Sequence, residues 1–238
     1  MDRFLENKCA VVTGGSRGIG RAIAQALLEA GARVAICGRS PEGVSQAVEE
    51  LGGQAGGKIA GRAADVGRWE DVQEFFQFVD REMGGLDILV NNAGVGLFGA
   101  AGDLSLEDWQ RTIQTNLTGV FHCCRQAVPR MRNRGGGFVV NIGSLAGKNA
   151  IPGGAAYNAS KFGLNGFSEA MMLDHRYEDI RVSTIMPGSV DTAFGSRTGG
   201  SDWRIAPRDV AEIVLAVLRL PPRTLVSRVE MRPTKPKR

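Results

Sequence analysis

The run Ala10-Val11-Val12 passes directly into Thr13-Gly14-Gly15-Ser16-Arg17-Gly18-Ile19-Gly20 and then into Arg21-Ala22-Ile23-Ala24. A short apolar segment, a glycine-rich turn and a helical pattern in immediate succession mark a βα junction at the start of the chain. Glycines in such a turn let backbone approach a ligand closely. The helix that follows offers free N–H groups and the positive end of its dipole. An ordinary glycine-rich connection would look similar, but this one occupies the first βα junction, where a pyrophosphate site belongs.

The alternation continues along the chain. Apolar runs predict strands over 9–13, 33–37, 58–64, 86–91, 138–142, 181–186 and 224–231. Helical patterns fall between them over 19–30, 41–51, 68–83, 106–132, 156–178 and 207–220. Gly31 stands where the first helix should end, and Pro41 where the second should begin. Continuously apolar strands separated by helices predict an α/β fold, a parallel sheet with helices on both faces. A ligand then sits beyond the carboxyl ends of the strands. No repeat, linker or second domain is visible, so residues 1–238 read as a single domain. A chain of this length buries roughly 70–75% of its unfolded surface.

The net charge of +4 raises the question of nucleic acid. Four of the 29 basic residues, Arg232, Lys235, Lys237 and Arg238, crowd a Pro-containing tail at 232–238, and the remaining 25 match the 25 acids. That tail reads as a solvated end, and no nucleic-acid partner is expected. Cys9, Cys37, Cys123 and Cys124 form no Cys-x-x-Cys, and with only His122 and His175 present a His-based metal or hydrolase site is not expected. The thiols read as reduced and packed in a cytoplasmic protein. The first residues, Met1-Asp2-Arg3-Phe4-Leu5, carry no signal-like apolar region, and no apolar run is long enough to span a membrane.

The second strand bears on which dinucleotide would bind. An NAD site places an acid at its end to accept from the ribose 2′-hydroxyl. Here Val34-Ala35-Ile36-Cys37 runs into Gly38-Arg39-Ser40, with no acid before Glu42. Arg39, with Arg17 of the glycine turn, suits a 2′-phosphate and hence NADP(H). A literal Gly-x-Gly-x-x-Gly at Gly94-Val95-Gly96-Leu97-Phe98-Gly99 follows the fourth strand with no helix after it. It reads as a flexible wall of the site.

Chemistry enters with Tyr157-Asn158-Ala159-Ser160-Lys161. Residues four apart share a helix face. A lysine cation beside a phenol favours the phenolate and lowers its pKa from about 10. That makes a usable proton donor for a carbonyl receiving a hydride. Ser144 follows the fifth strand, where its hydroxyl can donate to a developing oxyanion.

Together these elements resemble the short-chain dehydrogenase/reductase family. The matching residues are Thr13-Gly14-x-x-x-Gly18-x-Gly20, Asp65-Val66, Asn91-Asn92-Ala93-Gly94, Asn116, Ser144, Tyr157-x-x-x-Lys161 and Pro187-Gly188 with Thr192. The resemblance implies a Rossmann-type sheet of seven strands in order 3-2-1-4-5-6-7 and a pyridine-dinucleotide oxidoreductase. It makes Tyr157 the acid, has Lys161 hold the nicotinamide ribose, and has Asn116 hold a water that links Lys161 to solvent. It gives Asp65 and Val66 to the adenine, and Asn92, Ala93 and Gly94 to the adenosine ribose and the sheet centre. Gly14, Ser16, Arg17, Gly18, Ile19 and Gly20 line the phosphates, while Pro187, Gly188, Val190 and Thr192 close on the nicotinamide.

Substrate specificity is expected from residues 94–103, 145–156 and a lid near 192–205. Phe194 and Trp203 would cover an apolar substrate or pack against the lid's own base, and Arg197 is a solvated loop charge or a contact for an acid. A small carbonyl or alcohol substrate leads. The alternative is 3-oxoacyl-(acyl carrier protein) reduction, with Arg130, Arg132 and Arg134 as a docking patch for the carrier. A third reading, of another class, is a non-catalytic NADP-binding sensor or scaffold. Apolar faces on the two longest helices suggest self-association, and the family resemblance points to a homotetramer or homodimer.

Overall fold

The structure, a computed structural model, describes residues 3–55, 58–194 and 201–236. Its central strands are largely apolar because helices cover both faces of the sheet. In β1 (Cys9–Thr13), Ala10 and Val12 enter one core layer while Cys9 and Val11 enter the other. The first layer is completed by α1 (Gly18–Glu29), α2 (Pro41–Ala55) and α7 (Pro207–Arg219). The second is completed by α3 (Trp69–Met83), α5 (Gly119–Asn133) and α6 (Ala155–His175).

The remaining strands are β2 (Arg33–Gly38), β3 (Ile59–Ala63), β4 (Ile88–Asn91), β5 (Gly137–Ile142), β6 (Ile180–Pro187) and β7 (Arg228–Met231). All pair in parallel, in the order β3-β2-β1-β4-β5-β6-β7. The order reverses at β1, which pairs with β2 on one side and β4 on the other, so a crevice opens beyond their carboxyl ends. Gly31 takes the positive-φ position after α1, and Pro41 opens α2.

Two expected elements differ. The helix over 106–132 is interrupted: α4 (Leu106–Ile113) gives way to a π-helical turn at Gln114–Thr118 before α5 begins. The turn adds a residue to the ladder and carries Asn116 into the interior, where it is 1% exposed. The last strand is shorter than expected. Thr224 N–H bonds to Pro221 C=O in a turn, and pairing with β6 starts at Arg228.

All four cysteines are free and buried. Burial pushes the Cys37 and Cys124 thiols up to about 12, so they pack as small apolar groups. Among the described residues, no helix is long and apolar enough to cross a membrane, and no group of three metal-ligating side chains gathers.

Candidate active site

The end of β1 is locked to the end of β4. Thr13 Oγ1 accepts from the Asn92 and Ala93 N–H groups, both at 3.0 Å, and donates to Val90 C=O. Asn92 Nδ2 donates in turn to Thr13 C=O at 3.0 Å and Gly14 C=O at 3.1 Å. Gly14 and Gly18 adopt φ of 63° and 55°, a left-handed backbone that excludes most side chains at little cost only for glycine. Arg17 caps α1 with extended backbone and no side-chain bond, which leaves the first helical N–H groups directed at the cleft.

That cleft encloses about 1080 Å³ and runs across the carboxyl ends of the strands. Its lining brings together almost every residue expected for the cofactor: Gly14, Ser16, Arg17, Gly18 and Ile19 at the turn, Arg39 after β2, and Asp65 and Val66 after β3. Asn92, Ala93 and Gly94 follow β4, and Pro187, Gly188, Val190 and Thr192 follow β6. Gly20 is the exception. It sits behind the turn, where a Cβ would run into Gly14 C=O and the Asn92 amide, so it serves close packing of helix on strand. The positive-φ turn, the uncapped helix start and the two arginines suit the phosphates of a dinucleotide.

Ser144, Tyr157 and Lys161 line the other end. Ser144 caps a 3₁₀ turn at Leu145–Gly147, its Oγ accepting from Ala146 N–H at 3.1 Å, which leaves the hydroxyl hydrogen to donate elsewhere. Tyr157 and Lys161 lie one turn apart on α6, with Nζ 5.8 Å from the centre of the Tyr157 ring. Lys161 is buried, and Nζ donates to Ile142 C=O at 2.9 Å. Burial pulls its pKa down to about 8. Asn158, between them, donates to Ala146 C=O at 2.6 Å and Asn149 C=O at 3.1 Å and accepts from Ile151 N–H at 3.1 Å. It fastens the Ser144 loop to the helix that carries Tyr157. The motif spelled out Asn158 without revealing that task.

Asn116 does not reach the cleft. Its Oδ1 accepts from Val95 N–H at 2.8 Å, and its Nδ2 donates to Val95 C=O at 2.9 Å and Ser160 Oγ at 3.1 Å. Both amide hydrogens are engaged, so the water-holding role implied by the resemblance does not fall to them.

Two surface expectations change. Lys237 and Arg238 lie outside the described residues, but the tail over 232–236 is not simply a solvated end: Arg232, Pro233 and Pro236 line the cleft, because Gly188 N–H bonds to Met231 C=O at 2.9 Å and steers the chain past Pro187. The three-arginine patch is already occupied by acids of this chain. Arg130 forks onto Asp80, Arg132 forks onto Glu178, and Arg134 pairs with Asp87 at 3.2 Å. Phe194 and Trp203 both face the cleft, whereas Arg197 lies outside the described residues.

A doubly covered parallel sheet with a dinucleotide-shaped cleft and a Ser–Tyr–Lys wall defines a Rossmann-type oxidoreductase. The comparisons assign the family. The sequence model described as short chain dehydrogenase matches residues 8–201, and the chain belongs to the short-chain dehydrogenase/reductase family. It is 41% identical to a D-threitol dehydrogenase of Mycolicibacterium smegmatis over 196 residues, 82% of this chain and 75% of that protein. An uncharacterised oxidoreductase of Staphylococcus aureus is 33% identical over 96% of this chain and 98% of its own. Among solved structures, an alcohol dehydrogenase from the archaeon Thermococcus sibiricus complexed with 5-hydroxy-NADP superposes with a TM-score of 0.91 at 31% identity, covering 97% of this chain and 99% of that one. A metagenomic short-chain oxidoreductase in complex with NADP reaches 0.86 at 36% identity, covering 98% and 99%.

Proposed function

We propose that this chain is an NADP(H)-dependent oxidoreductase that reduces a carbonyl to an alcohol, with Tyr157 as the proton donor. The observation that carries the reading is the sharing of one cleft: Ser144, Tyr157 and Lys161 line one end and the uncapped start of α1 lies at the other. When bound, the reduced nicotinamide supplies the hydride that forms the new C–H bond at the carbonyl carbon. Tyr157 gives its phenolic proton to the carbonyl oxygen and regains one from solvent. The Lys161 cation stabilises the phenolate left behind, and Ser144 donates a hydrogen bond to the oxygen as charge develops on it. Asn116 acts at one remove, fixing Val95 in the cleft wall and Ser160 beside Tyr157.

The preference for NADP(H) is supported by Arg39, just after β2 where an NAD site would carry an acid, and by Arg17 of the glycine turn, both of which line the cleft. NADP and 5-hydroxy-NADP in the two similar structures support the same choice. The occupied arginine patch removes the main feature that favoured a carrier-protein substrate. Phe121 on α5 and Phe162 and Leu173 on α6 are exposed, and these helices are the proposed contact between subunits.

The test follows NADPH absorbance with a panel of ketones. Tyr157→Phe is expected to lower turnover about 10³-fold, within the usual span for loss of a general acid, while NADPH still binds. Retained turnover in that variant removes Tyr157 from the chemistry.

A further inference from the structure

Two large apolar side chains stand exposed beside the tyrosine: Phe98 at 50% and Phe194 at 36%. A single exposed phenylalanine needs no explanation, but a pair concentrated on one reactive group in a cleft does. The Phe98 ring centre is 5.5 Å from that of Tyr157, tilted by 54°, and the Phe194 centre is 5.9 Å away, tilted by 55°. Phe98 comes from the segment after β4 and Phe194 from the segment after β6, so the fold draws them together from distant points in sequence.

Both rings close over Gly96. A Cβ there would fall 2.5 Å from Phe194 Cε1 and 2.9 Å from Phe98 Cε2, so the backbone is bare where the rings need room. Ile151, Pro152 and Trp203 also line the cleft. Among the described residues, few polar side chains besides Ser144 and Tyr157 line this side of the cleft. Arg232 is one, and it is paired with Glu230 at 2.6 Å, which is itself paired with Lys148 at 2.6 Å.

A polyol brings a hydroxyl on every carbon, and each one withdrawn from water needs a partner. Rings cannot supply those partners, but they gain when an apolar surface covers them. We infer that the site takes a ketone or secondary alcohol bearing an aryl or bulky alkyl group, laid against the Phe98–Phe194 pair, and discriminates against polyols and short hydroxyketones. This rests on the carbonyl-reducing reading above. It departs from the polyol named for the D-threitol dehydrogenase relative.

The test compares kcat/KM for acetophenone and hydroxyacetone with NADPH, and for D-threitol with NADP⁺, in the native protein, Phe98→Ala, Phe194→Ala and Gly96→Ala. Calorimetry of 1-phenylethanol binding to the NADP⁺-saturated protein runs alongside. Acetophenone is expected to exceed hydroxyacetone by at least about tenfold. Each Phe→Ala change should lower that ratio by about tenfold, the order expected from uncovering one ring face. Gly96→Ala should shift it by displacing the rings. Preference for hydroxyacetone or D-threitol, a ratio unmoved by both Phe variants, or absence of 1-phenylethanol binding overturns the inference. If 1-phenylethanol binds in a Phe98- and Phe194-dependent way but nothing turns over, the aromatic wall stands and the catalytic reading falls. If polyols turn over through Tyr157, the reverse holds.

Discussion

At the base, in and beneath the cleft lining, Thr13, Asn92, Asn116 and Lys161 are tied by largely interior hydrogen bonds of 2.8–3.1 Å, whereas at the cleft mouth Phe98 and Phe194 stand partly in solvent and Arg232 hangs on an exposed ion pair. The difference has energetic consequences. A buried polar group deprived of its partner costs about 1–3 kcal/mol, while exposed ion pairs contribute little. The base therefore fixes where a proton and a hydride meet, and the mouth can vary in what it admits without disturbing that geometry. Catalysis and specificity are separable here because they rest on different kinds of contact.

The sharpest way to break the comparison is at the base. Asn116→Ala strips the partners from both Val95 backbone groups and from Ser160, and should destabilise the fold by about 2–4 kcal/mol in urea unfolding. Turnover should fall with it. A stability change within error would show that the clamp is not what holds the wall.

Lys161 offers a subtler test. Its folded pKa of about 8 lies below its ordinary value, so between the two the unfolded chain binds more protons. The buried cation thus costs stability at neutral pH, and the cost fades as pH rises through about 8. Lys161→Met should abolish turnover. It removes the cost of the buried cation but also takes the Nζ donor from Ile142 C=O. Its stability relative to the native protein should therefore be highest at pH 7 and fall by about 1–3 kcal/mol towards pH 10. In the native protein, ketone reduction should decline as pH passes about 8 and the cation is lost. A stability difference between Lys161→Met and the native protein that stays the same from pH 7 to pH 10 would contradict the burial argument.

Changes near the cofactor end and the mouth should be milder. Arg39→Asp is expected to weaken NADPH binding about tenfold and to improve NADH, read by titration of each cofactor. Glu230→Gln, which breaks the Lys148–Glu230–Arg232 chain, should leave the melting temperature within about 2 °C of native, since exposed pairs carry little.

Features set by local spacing were legible in the sequence. The glycine turn at Thr13–Gly20 is contiguous, and Tyr157 and Lys161 are paired by the helical repeat alone. The strand order came from the family resemblance, since the apolar runs show only that the sheet is parallel. Features that depend on distant register were hidden. Arg130, Arg132 and Arg134 looked free because their acids lie 50, 46 and 47 residues away. The tail looked solvated because its path depends on β7 pairing with β6, which puts Met231 beside Pro187. The inward turn of Asn116 onto Val95 was hidden because a π-helical turn has no sequence period to betray it.

The most direct measurement is a crystal structure of the protein with NADP⁺ and a secondary alcohol. The account predicts the alcohol oxygen within about 3 Å of both Tyr157 Oη and Ser144 Oγ, its carbon facing nicotinamide C4, and its apolar group on Phe98 and Phe194. An alcohol bound away from Tyr157, or a nicotinamide ring turned out of that end of the cleft, would contradict it.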